Sequence, residues 1–538
     1  MQQLTRIGML ASWVSLGSFF YYLTHGEILM HGDATAHINI ARRVFDSLYP
    51  GPLQLGTVWL PLPHLLMIPF IWPNKLWQTG IGGSIPSMIA YVLSVVGIFR
   101  LASGLLQVDE RTRPVAQLGG FVAAFVYAAN PNLLYVQATA LTEPLFLAFF
   151  IWAIAYFTDF VRALGGKDEV ERRALRKCAY CVAAAELTRY DGWFLAGLLG
   201  CLVLTIALWR SRNPFRRRRA LRFLIAIAAA PVLWLAYNRA VYGNALAFAN
   251  GPYSAKAIEA RVGAPNPGAH HLWVAASYFL KSAQITLAVG NWGRFWLLVA
   301  AGATALLIWR LRRQAAAVVV FLLWFPLPFY ALSVAYGSVP LHVPKWWPFA
   351  VFNQRFGLEL LPLFAVSAGT LVAALCSGRL VAHERKITAA AVALVVASYG
   401  FVWAAKPLCW LEAARNWEMR RGLDTAVQLA LKELPADAVY LMDICEHVGI
   451  IERLGIPLRR VVNNEDHRQW IRPADPEGTW ERALSDPGRY VNYVITFDGD
   501  LVDKGVNRAN LKLLEVIHAS GQPPARIYQT QLPTNQSR

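Results

Sequence analysis

The sequence predicts a polytopic α-helical membrane protein that ends in a small α/β domain. Three observations predict it. Of the 538 residues, 56% are hydrophobic and only 16% are charged, against about 25% charged in soluble domains. Apolar runs of near-spanning length, about 20 residues, recur up to about residue 406. Beyond that point strand-like and helix-like patterns alternate in shorter segments. The 20 Trp and 30 Pro fit the same picture, because Trp favours membrane interfaces and spanning helices tolerate Pro. Disorder, a collagen repeat and a disulfide scaffold are excluded by this composition.

Taken in order, the apolar runs lie near 7–24, 84–106, 116–130, 142–160, 178–187, 193–209, 222–240, 293–309, 314–334, 357–378 and 387–405, which makes about 11 transmembrane helices. The pair 178–187 and 193–209 is short enough to form a re-entrant hairpin instead of two spans. No small-residue cleavage site follows the first run, so it reads as an anchor rather than a removed signal peptide. The prolines in Gln54-Leu-Gly-Thr-Val-Trp59-Leu-Pro61-Leu-Pro63-His64 prevent a regular span, so this segment is expected to lie along the interface.

The charge follows the membrane part. Residues 406–538 hold 17 Lys+Arg and 18 Asp+Glu, so the net charge of +18 comes from residues 1–405. Loops 107–115, 161–177, 210–222, 310–313 and 379–386 carry 21 Lys/Arg in 51 residues. The opposite loops 25–83, 131–141, 188–192, 241–292 and 335–355 carry 9 in 148. The positive-inside rule therefore makes the first set cytoplasmic. It places the N-terminus inside, and 25–83, 241–292 and the C-terminal domain on the outer face of a cytoplasmic membrane. The run Arg216–Arg219 is a topology signal that touches anionic lipid, and no nucleic-acid partner is expected.

The outer domain covers 410–538 and the membrane domain 1–405. Within the former, a helical stretch at 411–434 precedes strands at Val439–Asp443, Arg460–Asn463, Tyr490–Phe497 and 526–530. Helices are expected near 447–454, 478–485 and 507–519, giving a small α/β layer. The tail after Pro533 reads as frayed. Of the six cysteines, Cys178-x-x-Cys181 is a lone pair on a membrane segment and reads as packing. A disulfide between Cys409 and Cys445 stays open, because distance cannot be judged from sequence.

Only 15 acidic residues lie in 1–405. Eight are on or near the outer side: Glu27, Asp33, Asp46, Glu143, Glu186, Asp191, Glu259 and Glu359. The first outer loop is the richest segment, His31-Gly-Asp33-Ala-Thr-Ala-His37-Ile-Asn-Ile-Ala-Arg42-Arg43. Gly32 breaks the chain after the first span. Asp33 then starts a helix, where it can cap, and shares a face with His37 and Ile40. Its competing role is a carboxylate held at the membrane surface. His31-x-Asp33-x3-His37 also offers two imidazoles and a carboxylate to a divalent metal, although no dense spacing such as H-E-x-x-H is present. No cofactor is otherwise required.

A first span followed by an outer loop that opens with Gly-Asp and carries juxtamembrane helices resembles the GT-C glycosyltransferases. Three stretches agree: Ala140-Leu-Thr-Glu143-Pro144, Glu186-Leu-Thr-Arg189-Tyr-Asp191-Gly192-Trp193, and Asn353-Gln354-Arg355-Phe356 followed by Leu361-Pro362. The second resembles an R-x-[DE]-G turn, and the third the R-[YF]-x5-P opening of a late span. Within the class, the chain looks most like bacterial protein O-mannosyltransferases and aminoarabinose transferases. It departs from the mannosyltransferases in having Ala34 where they place a second acid. It departs from oligosaccharyltransferases in lacking W-W-D-Y-G, since Lys345-Trp346-Trp347-Pro348 has no following Asp-Tyr-Gly.

The resemblance implies an inverting transfer of a sugar from a polyprenyl phosphate to a glycan, lipid or protein acceptor on the outer face. Asp33 would be the catalytic base that takes the acceptor proton. Cations would stabilise the departing phosphate, with Arg355 first and Arg189, Lys345 and Lys256 after it. His31, His37, Glu143 and Asp191 would support the acceptor or supply a second acid. Structural roles compete: headgroup anchoring for Arg355, an internal ion pair for Arg189 and Asp191, and a helix-dipole charge for Glu143. Two other readings stay open. A transporter or flippase of lipid-linked sugars would show internal symmetry, and none is found. A non-catalytic GT-C-like assembly partner is kept open by the missing second acid.

Overall fold

The structure, a computed structural model, describes residues 2–209, 214–263, 265–312, 314–377, 382–464 and 478–531. Among them nine helices are long and apolar enough to cross a membrane: Gln2–Thr24, Ile81–Leu106, Glu143–Arg162, Asp191–Leu208, Arg216–Tyr242, Asn291–Leu311, Ala317–Tyr336, Gln354–Leu375 and Glu384–Lys432. The chain is thus a polytopic helical membrane protein, with nine candidate spans among the described residues. The run at 116–130 becomes Arg113–Ala128, whose 16 residues reach about 24 Å at 1.5 Å per residue, short of a bilayer core of about 30 Å. The run at 178–187 is the end of a 19-residue helix, Asp168–Glu186. Its first half is charged, so it is amphipathic rather than spanning.

The described chain forms two compact units. The first comprises Met1–His25, Pro86–Leu235 and Phe248–Glu412. Its helices meet through small residues. A Cβ on Gly369 would run into the carbonyl oxygen of Gly119, and one on Gly119 would lie 2.7 Å from that of Gly369. The two glycines therefore let Arg113–Ala128 and Leu361–Leu375 touch backbone to backbone.

The second unit joins three stretches of chain, Gly26–Ile85, Ala236–Ala247 and Ala413–Arg538. Its sheet comprises β1 (Tyr440–Met442), β2 (Val461–Val462), β3 (Tyr493–Phe497), β4 (Leu511–Ile517) and β5 (Ala525–Thr530). They lie in the order β2-β1-β3-β5-β4. The first three strands are parallel and β5 and β4 antiparallel. β3 is central and buried along its whole length, which explains its unbroken apolar run. Leu441, Val462, Ala483, Val494 and Val502 form the core of one face.

β4 corrects the helix expected over 507–519. Leu511-Lys-Leu-Leu-Glu-Val-Ile517 has apolar residues at helical spacing, but pairing with β5 wins, with a register irregularity between Leu513 and Glu515. As an edge strand it leaves Leu513, Leu514 and Val516 exposed, so its apolar positions do not mark one buried face. The tail after Pro533 lies outside the described residues. None of the six cysteines is in a disulfide.

Within this unit the first-loop stretch packs against the C-terminal segments. Arg42, near the end of helix Gly32–Arg43, holds Asp46 at 2.8 Å. It also donates to the carbonyls of Ile71 and Trp72, at 2.9 and 3.2 Å. Those carbonyls end the short helix Leu62–Ile71, so one guanidinium closes a helix end and ties two helices together. Asn39 donates to a Glu452 carboxylate oxygen at 2.9 Å and accepts from the Trp77 indole at 3.2 Å.

Candidate active site

In the second unit, Asp33 is half-buried in the first turn of helix Gly32–Arg43. It is not the cap. The Nδ1 of His31 accepts the Asp33 backbone N–H at 3.2 Å, which makes His31 the N-cap. The Asp33 carboxylate is therefore not needed to start the helix, although the helix dipole still favours a negative charge there. Arg420, on the helix Leu408–Lys432, approaches the same turn. Its Nη2 donates to the carbonyl of Met30 at 3.0 Å. A Cβ on Gly32 would stand 3.3 Å from its Nη1 and 3.2 Å from the Asn416 amide oxygen. Its charge interacts with Asp33, Asp424, Glu446 and Glu452.

One turn further along, His37 and His64 share a hydrogen bond of 2.9 Å between Nδ1 and Nε2, and the His37 ring packs on Trp59 at 4.4 Å. Burial, and then the neighbouring His37 and Arg43, hold His64 well below the usual histidine range. Its Nδ1 is buried without a partner. His31 turns to its own backbone and His37 to a second imidazole. Among the described residues no group of three or more His, Cys, Asp or Glu is arranged to hold a metal ion, the trio His31, Asp33 and His37 included.

In the first unit, the three motifs converge on one buried network. Glu143 opens helix Glu143–Arg162, Asp191 opens Asp191–Trp209, and Arg189 lies in the turn just before it. Gly192 belongs to this turn for a steric reason. A Cβ there would lie 2.5 Å or less from the backbone of Ala185 and Glu186. Arg189 reaches Glu143 at 3.0 Å, Asp191 at 2.8 Å and Glu359 at 3.4 Å. The Tyr330 hydroxyl accepts from Arg189 at 2.9 Å and lies 2.6 Å from Glu359 and 3.1 Å from Asp191. Arg355 donates through Nε to Glu143 at 2.7 Å. Glu412 accepts the backbone N–H groups of Asn353 and Gln354, at 2.5 and 2.9 Å, and lies 3.8 Å from Arg355. Asn353 has φ 58°, in the left-handed region that asparagine tolerates. Both guanidiniums lie 5.2 Å from the Phe356 ring. Glu143 thus bridges Arg189 and Arg355, a geometry that fixes planar guanidiniums in place.

No protein-family model matches the sequence, and no curated protein matches it. Solved structures do resemble the fold. ArnT from Cupriavidus metallidurans, in a structure bound to undecaprenyl phosphate, aligns at a TM-score of 0.57 and 13% identity, covering 98% of this chain and 99% of its own. The oligosaccharyltransferase of Archaeoglobus fulgidus, tethered by a disulfide to an acceptor peptide containing the NVT sequon, aligns at 0.51 and 10% identity. That match covers 99% of this chain and 75% of the other. The chain has the GT-C fold. At these identities the likeness is one of fold.

The remaining sequence candidates lie apart from the buried network. Lys256 is exposed on the short helix Ala255–Val262. Lys345 is exposed in a loop, and its charge, with that of Arg294, acts on Lys281. The sequence pattern did not mark Glu412, which joins the buried network, or Arg420 beside the first turn. Arg420 could have been flagged by one signal, a cation in the middle of the segment that leads into the C-terminal domain.

Proposed function

We propose that the protein is an inverting glycosyltransferase that moves a sugar from a polyprenyl-phosphate donor to an acceptor on the outer face of a cytoplasmic membrane. The observation that carries this reading is the fold match over nearly the whole of both chains to ArnT, captured with undecaprenyl phosphate. Asp33 is the general base. It stands in the first turn of a helix whose cap is supplied by His31, so the carboxylate has no capping role. Arg355 is the first cation for the donor phosphate, with Lys345 and Lys256 in support. Arg189 and Asp191 act mainly on each other and on Glu143, holding Arg355 through that shared carboxylate. A divalent ion at the donor phosphate is compatible with this scheme. The acceptor is a glycan, lipid or protein, and the C-terminal α/β layer contributes to holding it.

The test is Asp33→Asn. The amide keeps the size of the side chain and the helix keeps its cap, but an amide does not take a proton near neutral pH. Loss of a general base costs about 10²–10⁴-fold in rate. The variant is expected to fold and bind polyprenyl-phosphate sugar normally and to transfer it at least about 100-fold more slowly, measured with radiolabelled donors and cell-envelope acceptors. Full activity in a folded Asp33→Asn protein would remove the assignment and leave Glu143 and Asp191 as the next acids.

A further inference from the structure

We propose that Arg420 is a positioning residue for the transfer reaction, holding the first turn of helix Gly32–Arg43 in place and keeping a permanent positive charge beside Asp33. The proposal rests on the base role of Asp33. One guanidinium lies against the chain at Met30 and at Gly32. Its Nη2 takes the carbonyl of Met30 at 3.0 Å, and its Nη1 occupies the space a side chain at position 32 would need. Gly32 has no left-handed backbone to justify it. Its missing Cβ instead leaves room for Arg420 and Asn416 against the helix start. Arginine is not deprotonated in proteins, so the charge beside Asp33 does not switch off.

A cation close to a carboxylate favours its ionised form by about 1–3 pH units. The other charged groups around this turn divide in sign. His31 and His37 lie on or beside the same helix. Asp424 shares a helix with Arg420 and is bonded to His447 at 2.8 Å. Glu446 follows β1. Glu452 and Arg453 belong to helix Val448–Leu454. Arg453 is turned to Trp417, with its guanidinium 3.7 Å from the ring. Arg420 is tied directly to this turn through the Met30 carbonyl, and its charge acts on Asp33.

The experiment is the pH profile of kcat/KM for sugar transfer by the full chain. Arg420→Gln is expected to lower transfer at least about tenfold and to move the acid limb up by about one unit, with donor KM unchanged. Arg420→Lys keeps the charge and is expected to leave the limb in place while losing part of the rate. Gly32→Ala, which crowds the guanidinium without removing it, is expected to move the limb the same way by less. It carries the test if Arg420→Gln does not fold. A rate loss in Arg420→Gln with an unmoved limb, or an unmoved limb in Gly32→Ala where it stands alone, overturns the positioning role. An active Asp33→Asn protein instead overturns the base reading beneath it.

Discussion

Arg355 shows how a sequence-level candidate acquires a structural definition. Its Nε bond to Glu143 fixes the guanidinium from one side, and the plane lies over Phe356. Arg355→Ala removes a charged partner, but Glu143 keeps Arg189 at 3.0 Å, so the buried carboxylate is not stranded. Expression is expected to survive. Affinity for a polyprenyl phosphate, read by calorimetry in detergent, is expected to fall at least about tenfold, or about 1.4 kcal/mol. An unchanged affinity would make Arg355 a purely structural arginine. Asp33, Glu143 and Asp191 stand out as candidates because acidic residues are scarce in an apolar chain and those facing one side can be counted, whereas Arg355 stands out through the stretch Asn353–Phe356 followed by Leu361-Pro362. The partners of Glu143 were not legible. Positions 143, 189 and 355 are brought together by helix packing, which no local spacing encodes.

The contact between helices Gly32–Arg43 and Val448–Leu454 carries its own pH signature. Glu452 is fully buried there. Burial raises its carboxyl to about 8, against the opposing effects of the Asn39 hydrogen bond and of Arg453 and Arg420. An unfolded glutamate titrates near 4.3, so between about pH 4 and pH 8 the folded protein binds more protons than the unfolded chain. Stability must then decline as pH rises through that window and level off above it. Glu452→Gln keeps an acceptor for Asn39 and removes the titration. The thermal midpoint of the parent protein is expected to drop by a few degrees from pH 5 to pH 9, and that of the variant, in which only other groups such as Asp500 titrate, to drop by less. Equal drops in both would show that Glu452 does not titrate in this interval. Elements differed in how readably they were written. β1, β2, β3 and β5 and the helices between them follow the sequence pattern because both faces of the inner strands are buried. β4 did not, because its residues from Lys512 to Val516 are all exposed, so no alternation of buried and exposed positions prints a period of two.

For the whole molecule, the Lys/Arg bias of 21 to 9 was legible without any structure, and it makes the orientation testable. An alkaline phosphatase fused at the C-terminus is expected to be active, as it would be outside the cytoplasm. An inactive phosphatase with an active cytoplasmic reporter at the same site would reverse the orientation and the proposed reaction with it. The number of spans was less legible than their existence, because hydropathy marks apolar stretches whether or not they are long enough to cross. The grouping into units was not legible either. Sequence placed the loop 25–83 with the membrane part, whereas Asn39 meets Glu452 across 413 positions and Tyr49 meets Thr479 across 430.

That last arrangement has a bearing on how the protein is made. A ribosome adds about 5–20 residues per second, so residues 26–85 are complete on the order of 20–80 seconds before the segment that contains Glu452 and Thr479 exists. During that interval Asn39 and Trp77 lack their final neighbour, and Gly32 has no guanidinium against it. The first loop of this chain therefore completes these contacts only after the segments that hold Arg420, Glu452 and Thr479 have emerged. A ribosome that stalls late leaves an inserted membrane part whose proposed base is not yet set.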